Sequence, residues 1–406
     1  MKNPSIKCAA NDLEVPPNSV SISLPSAADV GRCRDLCLTL ESVVQERSPQ
    51  AEISVAPTFN IEIASVSCVV PKHKVSQQDI AEKAKHFFPH LGGLFSLFAN
   101  TGIETRYVCE PPDWYLDSRG WEERTVSFQR NAVALLEEAT LKAVADAGIQ
   151  LEDIAAIVTN TVTGLAVPSL EAQLINRLPF SRNVERLPIF GLGCGGGVGG
   201  LARAIRIAQT MPGAYVLFLT VDLCSLCARS DDQSIANFVS IALFGDGAAA
   251  VLLRASSHRD SSPAGRGRVV AIGEHCWPDT LHIMGWSVQE RGFGVVLSPE
   301  LPSLLHRELR PVIEQFLSRE NLQLEDLDGY LLHPGGRRVL EAAKKVLCLS
   351  DVDLLHSRDV LREYGNMSSA TALFILDRAL KSGARGRHLL AAFGPGFSAY
   401  FIIIDL

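Results

Sequence analysis

The chain has 406 residues, of which 47% are hydrophobic, and it carries a formal net charge of -7 at pH 7. A chain of this length and apolar content can bury a large core and is expected to form more than one domain-sized unit. Its acidic balance, without a dense run of Lys and Arg, argues against a nucleic-acid-binding protein, and no apolar stretch approaches the length of a membrane span.

The first 57 residues differ in composition from the rest of the chain. They contain two adjacent prolines and several serines, together with one helical pattern over residues 29–45. We predict that residues 1–57 form a mobile N-terminal extension. The beginning of the chain has no apolar signal core, so we expect a cytoplasmic protein rather than a secreted one.

Ten cysteines are scattered along the chain. This distribution is typical of a protein from a reducing compartment and not of a disulfide framework. Cys224 and Cys227 have the spacing of half a metal site, but no second pair follows at ligand spacing. We therefore predict neither a metal ion nor another cofactor.

From Phe59 onward the sequence alternates between strand and helix patterns, and the same order of landmarks occurs twice. Each copy has a long helical pattern, the tetrapeptide Gln-Leu-Glu-Asp, an apolar strand, a helix rich in small residues, and a Phe-Gly turn before a last strand. The landmarks are residues 131–147, 150–153, 154–159 and 244–253 in the first copy, and 302–320, 323–326, 327–332 and 393–404 in the second. We predict two similar halves, residues 58–255 and 256–406, in one layered α/β structure. Two unrelated α/β domains are the alternative.

Cys194 is the first candidate for catalysis, in the glycine-rich segment Phe190-Gly-Leu-Gly-Cys-Gly-Gly-Gly-Val-Gly-Gly. An apolar strand pattern precedes it and a helical pattern, residues 201–209, follows it. A helix N-terminus stabilises a thiolate and lowers the pKa of a cysteine, which makes the sulfur a nucleophile. A buried cysteine in a packing turn is the alternative. A dinucleotide site is disfavoured, because the glycines do not follow a first strand and no acidic residue lies at the expected distance.

His333 and Asn366 are the other two candidates. His333 follows an apolar strand and precedes Pro-Gly-Gly, where an imidazole can face a cavity and stabilise a thiolate as an ion pair. Asn366 occupies in the second half nearly the position that Cys194 has in the first, so both side chains are expected to face one shared site. Its amide can donate a hydrogen bond to a developing oxyanion, although a helix N-cap is an alternative role.

Several motifs resemble those of the type III polyketide synthases, the chalcone synthase superfamily. In the family's order, they are Leu243-Phe-Gly-Asp-Gly-Ala-Ala-Ala, His333-Pro-Gly-Gly, Tyr364-Gly-Asn-Met-Ser-Ser-Ala and Phe393-Gly-Pro-Gly. The resemblance implies a thiolase-like fold with layers in the order αβαβα, a homodimer, and a catalytic triad of Cys194, His333 and Asn366. It also implies that Phe244 gates the cavity, and that a loop shapes it, formed by Gly394, Pro395 and Gly396.

The resemblance also implies a reaction. An acyl group from acyl-CoA would be carried on Cys194, and malonyl-CoA would lose carbon dioxide to give an enolate that His333 and Asn366 stabilise. The enolate would attack the acyl thioester, and the product would cyclise after several rounds. Both substrates are CoA thioesters, and no metal is expected to take part.

When the chain is aligned on these motifs, six further residues fall on the cavity wall: Val162, Thr163, Ala166, Cys227, Trp286 and Val295. The small residues at 166 and 227 resemble bacterial members that hold long fatty acyl chains in a tunnel, whereas Trp286 should narrow the space for elongation. We therefore expect a long-chain fatty acyl starter and an alkylresorcinol or alkylpyrone product. Core packing is the alternative role of each of these residues.

The chain departs from the family where CoA binds, because residues 91–100 contain no Lys or Arg in place of the usual basic cluster. Alternative cations for the CoA phosphates are Lys72, Lys74, Arg337 and Arg338. An acyl carrier protein or a fatty acid synthase is an alternative donor of the starter. Two other functions compete with the polyketide synthase: a ketoacyl synthase that performs a single condensation, and a catalytically silent acyl-binding partner.

Overall fold

The computed structural model describes residues 60–256 and 266–406. In these ranges the strands are β1 Asn60–Val69, β2 His73–Ser76, β3 Thr105–Val108, β4 Ile154–Thr161, β5 Glu185–Phe190, β6 Tyr215–Leu223, β7 Asp246–Ser256, β8 Gly267–Cys276, β9 Met284–Gln289, β10 Gly292–Leu297, β11 Gly329–Leu332, β12 Arg387–Gly394 and β13 Ser398–Asp405. The helices are α1 Gln77–Phe87, α2 Ser96–Asn100, α3 Trp121–Ala147, α4 Leu170–Arg177, α5 Gly196–Thr210, α6 Ile235–Leu243, α7 Leu301–Arg319, α8 Arg337–Val346, α9 Leu355–Tyr364 and α10 Ala370–Lys381. The predicted extension, residues 1–57, lies outside the described residues.

The repeated tetrapeptide adopts the same local structure in both halves. Residues Leu151–Asp153 and Leu324–Asp326 each form a single 3-10 turn between a long helix and a buried strand. In each turn the last aspartate accepts a hydrogen bond from the backbone N–H of the glutamine three residues earlier, at 2.9 Å in the first copy and 2.8 Å in the second. This side-chain cap fixes the direction in which the following strand leaves the turn.

Nine strands of the described ranges form one mixed sheet, in the order β11-β12-β13-β8-β1-β7-β6-β4-β5. On one side β4 pairs in parallel with β6, β6 is antiparallel to β7, and β7 is antiparallel to β1. On the other side β11 pairs in parallel with β12, β12 is antiparallel to β13, and β13 is antiparallel to β8. The two halves meet where β1 and β8 pair over three residues. The duplication and the α/β class expected from the sequence are confirmed.

The core shows why the halves stack in layers. Alternate residues of β6 point to opposite faces: Val216 and Phe218 belong to a central apolar cluster, whereas Leu217, Leu219 and Val221 belong to an outer one. The central cluster contains α5 and α10 between the two halves of the sheet. Outer clusters pack α3 and α4 on the first half, and α7 and α8 on the second. The buried helices α5 and α10 therefore bring their N-terminal ends, one from each half, into the middle of the molecule.

Helix α3 begins ten residues before the predicted start at residue 131, because Gly120 and Glu123 provide an N-cap further upstream. The described residues, 60–256 and 266–406, belong to one compact unit, and its division at residues 255 and 256 stays a proposal. Within the described ranges, no helix is both long and apolar enough to cross a membrane. The cytoplasmic location stays a prediction.

Candidate active site

Cys194 lies where the sequence predicts it, in a tight turn between β5 and α5. Residues Gly193–Gly195 form a single 3-10 turn directly before the helix. Gly191 and Gly193 have φ angles of 96° and 51°, in the left-handed region that disfavours residues with a side chain. The chain can therefore reverse sharply here and present the thiol at the start of a buried helix.

The other glycines around Cys194 are required by close packing. A β-carbon added to Gly193 would lie 2.4 Å from the ring of Pro395, and one added to Gly195 would lie 2.5 Å from the ring of Tyr400. A β-carbon on Gly197 would lie 2.0 Å from the carbonyl oxygen of Ser369. The loop of Gly394, Pro395 and Gly396 thus packs directly on the turn that carries the thiol.

Replacing Gly197 with alanine is expected to destabilise the whole fold. The methyl group would meet a backbone oxygen that cannot rotate away, so the loss should exceed the ~1–3 kcal/mol typical of an overpacked core. Chemical denaturation followed by circular dichroism measures the free energy of unfolding. Gly93→Ala is the matched control, because nothing lies within 4 Å of its added β-carbon. Equal stability of the two variants would contradict this account of the interface between α5 and α10.

His333 lies directly after β11. Its backbone N–H donates to the carbonyl of Ala391 at 2.8 Å, which extends the parallel pairing with β12 by one residue. The side chain is only 2% exposed, and within the described residues neither ring nitrogen has a hydrogen-bond partner. Burial lowers the pKa of His333 to about 3. At neutral pH the ring is therefore uncharged, with one N–H donor and one bare nitrogen available to a substrate.

Asn366 is held by backbone bonds to the segment that carries Phe244. Its N–H donates to the carbonyl of Leu243, and its carbonyl accepts from the N–H of Gly245, both at 2.9 Å. Its side-chain amide donates to the carbonyl of Gly335 at 3.3 Å. Ser369 occupies the N-cap position of α10 without a side-chain bond, and the side-chain oxygen of Asn366 accepts from the backbone N–H of Ser368 at 2.8 Å, so Asn366 also supports the turn before this helix. The geometry leaves Asn366 as a buried amide at the edge of a pocket.

Cys194, His333, Asn366 and Phe244 line one pocket with an empty volume of about 400 Å³. The rest of its lining is apolar apart from the glycine backbone: Leu243, Met284, Leu297, Leu301, Leu305, Gly335, Val339 and Phe393. These side chains could not be identified as cavity residues from the sequence, because a leucine in a pocket wall has the same sequence pattern as a leucine in the core.

The pKa of the Cys194 thiol differs from the prediction. Burial raises the pKa of Cys194 to about 11, and the carboxylate of Asp222 adds to this effect. Hydrogen bonds from the side chains of Ser368 and Asn366 act in the opposite direction. The prediction that this pKa is lowered is wrong, because desolvation of the charged form is the largest effect on the thiol.

Asp222 and Ser368 are site residues that the sequence analysis missed. Asp222 is fully buried at the end of β6, where it accepts from the backbone N–H of Val162 at 2.8 Å and of Ser369 at 3.0 Å. Burial raises its pKa. Helix α10 starts 174 residues after α5, and the same step from Cys194 leads to Ser368. A careful alignment of the repeat would have identified Ser368, and an acid ending an apolar strand would have identified Asp222.

The predicted cavity-wall residues form a connected group beside Asp222 and lie outside the lining of the pocket around the thiol. Trp286 donates from its indole nitrogen to the carbonyl of Val162 at 3.0 Å, and the Cys227 sulfur donates to the carbonyl of Thr163 at 3.7 Å. Val295 pairs with Trp286 across the hairpin of β9 and β10. Ala166 packs against the outer apolar cluster under α3. Their contact with substrate stays a prediction.

A second cavity shares Phe244 with the pocket around the thiol. It has an empty volume of about 770 Å³ and lies between α1, the turn of residues 112–116, the segment 224–230 and α6. Most of its lining is apolar, and it includes Val75, Ile80, Phe87, Leu116, Ala228 and Ile241. Phe244 is common to both cavities.

Two of the four alternative cations lie near the thiol pocket. Arg337 and Arg338 are exposed and lie in the first turn of α8, four and five residues after the pocket residue His333. Lys72 and Lys74 are exposed around β2, and the Lys74 ammonium lies 5.9 Å from the ring centre of Tyr107. Within residues 60–256 and 266–406, no group of three or more His, Cys, Asp or Glu side chains is placed to hold a metal ion.

Both halves of the chain match a known protein family. Residues 118–257 match the family described as chalcone and stilbene synthases, N-terminal domain, and residues 269–405 match its C-terminal domain. The chain is 34% identical to a putative chalcone synthase of Bacillus subtilis (strain 168), covering 84% of this chain and 98% of that protein. It is 35% identical to a 1,3,6,8-tetrahydroxynaphthalene synthase of Streptomyces peucetius subsp. caesius, covering 84% and 92%.

Among solved structures, the chain resembles the 1,3,6,8-tetrahydroxynaphthalene synthase of Streptomyces coelicolor A3(2), a bacterial type III polyketide synthase. The TM-score is 0.79 at 30% identity, and the match covers 85% of this chain and 99% of that one. The thiolase-like fold class expected from the motifs is thereby confirmed.

Proposed function

Since the chain belongs to the chalcone and stilbene synthase family, whose members are condensing acyltransferases, we propose that it joins a long-chain fatty acyl-CoA to several malonyl-CoA units. The polyketide is then cyclised to an alkylresorcinol or an alkylpyrone. The observation that carries the proposal is the convergence of Cys194, His333 and Asn366 in one apolar pocket. No cofactor is needed for these steps, because the substrates are activated as CoA thioesters.

In the first step, the acyl group moves from CoA to the sulfur of Cys194. The thiol is protonated in the empty pocket, since burial raises its pKa to about 11. His333 is uncharged, since burial lowers its pKa to about 3, so its bare nitrogen can accept the thiol proton while the sulfur attacks. The resulting imidazolium can then donate the proton to the departing CoA sulfur.

In the second step, malonyl-CoA loses carbon dioxide and leaves an enolate. Negative charge develops on the thioester oxygen, where the amide of Asn366 and the N–H of His333 can donate hydrogen bonds. The apolar ring of Phe244 disfavours the malonyl carboxylate and favours neutral carbon dioxide. The enolate carbon then forms a bond to the acyl carbon, and the Cys194 sulfur leaves.

The second cavity supports a long-chain starter. Its apolar lining offers a place for an alkyl chain that the smaller pocket around the thiol cannot hold in full. Burial of each methylene group there contributes about 0.8 kcal/mol. For the CoA phosphates, Arg337 and Arg338 at the start of α8 are the proposed partners, because two guanidinium groups at a helix N-terminus attract phosphate.

We also propose that the active form is a homodimer. Strand β5 lies at an edge of the sheet, and its last residue, Phe190, is half exposed. Two apolar residues close in sequence to the buried Val162 and Thr163 are also exposed. Leu165 is 52% exposed and Val167 is 96% exposed. An uncovered strand edge with apolar side chains is typical of a surface that pairs with another chain. A carrier protein stays an alternative donor of the starter.

Filling the second cavity is expected to change the length of the starter. With a series from acetyl-CoA to stearoyl-CoA and labelled malonyl-CoA, the wild type should prefer the long chains. In Ala228→Phe, kcat/KM for the long chains should fall roughly tenfold or more, since even two excluded methylene groups cost about 1.6 kcal/mol. Mass spectrometry of the products measures the effect.

The control for this experiment is Ala214→Phe, which adds the same ring at a partly buried alanine in the turn before β6. Its starter preference should equal that of the wild type. If the wild type uses malonyl-CoA alone, or uses acetyl-CoA best, the proposal of a long-chain starter is wrong. The proposal that the enzyme condenses malonyl-CoA units would still stand. A single linear condensation product would favour the ketoacyl synthase alternative, and the absence of any product would favour a silent acyl-binding partner.

A further inference from the structure

Arg106 is an unusual residue in this fold because a charged side chain is almost completely enclosed. It lies in β3, is 1% exposed, and is among the largest fully buried side chains of the described residues. Burial lowers the pKa of its guanidinium to about 9, and the nearby Asp246 partly offsets this effect. Burying a cation is costly unless its hydrogen bonds are satisfied, so the partners of Arg106 indicate what the charge does.

Each hydrogen bond that the Arg106 side chain donates within the described residues ends on an uncharged oxygen, either at the end of α6 or on Gln77, and its buried Nε has no partner there. Nη1 donates to the carbonyls of Ile241 at 2.8 Å and Phe244 at 2.7 Å. Nη2 donates to the carbonyl of Ala242 at 2.7 Å and to the side-chain oxygen of Gln77. The planar fork thus occupies the last carbonyls of α6, where a helix has unsatisfied acceptors and partial negative charge.

The β-carbon of Arg106 packs close to two glycines, one next to Phe244 and one next to Asn366. A β-carbon added to Gly245, the residue after Phe244, would lie 3.2 Å from the β-carbon of Arg106. One added to Gly365, the residue before Asn366, would lie 3.6 Å from it. These are also the segments that the backbone pairing of Phe244 and Asn366 joins.

We propose that Arg106 is a positioning residue that sets the backbone of Phe244 and Asn366 together, and so aims the Asn366 amide at the Cys194 sulfur and at the developing enolate. Arg106 does not line the thiol pocket, although it is part of the lining of the second cavity, and it acts on Asn366 through the end of α6. Gln77 supports the same arrangement, since its amide nitrogen donates to the carbonyl of Ala242 at 2.9 Å and to Thr101 at 3.0 Å. The catalytic part of this inference rests on the proposed function.

The test uses Arg106→Lys, which keeps the charge but cannot direct a planar fork at four acceptors. The side chain of Asn366 lines the same pocket as the Cys194 sulfur and lowers the pKa of that thiol. If Asn366 is displaced, the thiolate loses this donor, so the pH profile of Cys194 alkylation by iodoacetamide should move to higher pH. Asn366→Ala should produce the same shift, and the double variant should shift no further than Asn366→Ala alone.

The matched control is Arg124→Lys. Arg124 is also buried, at 8% exposure, and its fork also donates to backbone carbonyls, those of Arg119, Leu226 and Ala228, away from Phe244 and Asn366. Its alkylation profile should match the wild type. For Arg106→Lys we also expect a loss on the order of 100-fold in malonyl-CoA decarboxylation, the size expected for a misplacement of about 1 Å.

An unshifted profile in folded Arg106→Lys, or a full second shift in the double variant, would overturn the inference. If circular dichroism shows that Arg106→Lys does not fold, Gln77→Ala decides by the same criteria, with a smaller shift expected. The alkylation profile does not depend on turnover. A failure of the proposed function would therefore appear as missing decarboxylation in the wild type, and a failure of this inference as an unchanged profile.

Discussion

Cys194→Ala is expected to abolish polyketide formation while malonyl-CoA decarboxylation continues. The sulfur is the only atom of the proposed mechanism that carries the acyl chain, and no other side chain in the pocket lining is a nucleophile of comparable strength. Decarboxylation depends instead on His333 and Asn366, which the substitution leaves in place. Product analysis by mass spectrometry and release of labelled carbon dioxide measure the two activities separately.

The wild type should also gain the mass of one acyl group on Cys194 when it is given the starter alone. Cys348→Ala is the control, because Cys348 is an exposed cysteine in the turn after α8. This variant should retain both product formation and acylation. Wild-type product yields from Cys194→Ala would exclude the covalent mechanism.

His333→Ala is expected to lower both the acylation rate and the decarboxylation rate. Loss of a general base costs about 10²–10⁴-fold in rate, and loss of one oxyanion donor costs about 10²–10³-fold, or about 2.7–4 kcal/mol. Asn366→Ala removes one oxyanion donor, so it should lower the decarboxylation rate by about 10²–10³-fold. Its acylation rate should stay closer to that of the wild type. Single-turnover acylation followed by mass spectrometry separates these steps.

His333→Gln separates the two roles of His333, because the glutamine amide can donate a hydrogen bond but cannot accept a proton as a base. Compared with His333→Ala, this variant should recover part of the decarboxylation rate and none of the acylation rate. Burial holds the pKa of His333 near 3, so the ring is neutral above that pH. The acylation rate should therefore show no fall near pH 6.5 as the pH is lowered from 8 to 5. A fall at that pH would mean that the imidazole titrates normally, and equal losses of both rates in all three variants would argue for a structural role.

The identity of the three catalytic candidates could be obtained from the sequence because each has a local signal. Cys194 is enclosed by glycines, His333 follows a buried strand, and Asn366 lies in a motif that repeats the position of Cys194. These signals depend on short stretches of chain, and the repeat then relates stretches that are far apart. The same repetition predicted the two similar halves.

The apolar residues that line the two cavities could not be identified from the sequence. Met284, Leu297 and Leu305 line the thiol pocket, and Ile80 and Ile241 line the second cavity. Their sequence patterns are those of ordinary core residues, because apolar periodicity reports burial and not the presence of a void. The motif alignment therefore located the wall at Trp286 and its neighbours and gave no indication of the second cavity.

The charge state of the site was also beyond the sequence. A helix N-terminus beside Cys194 predicts a lowered pKa, but burial raises it, and the residues that share the pocket with the thiol, such as His333, Asn366 and Phe393, are distant in the chain. The role of Arg106 has the same origin, because its carbonyl partners lie more than 130 residues away.

The sequence by itself predicted the three catalytic candidates and the duplicated framework that holds them, because both depend on local motifs and their repetition. Only the tertiary structure decided how those residues are protonated, which apolar side chains enclose them, and that Phe244 lines two cavities. Desolvation and cavity shape are properties of atoms brought together from many segments, and no single segment of the chain contains them.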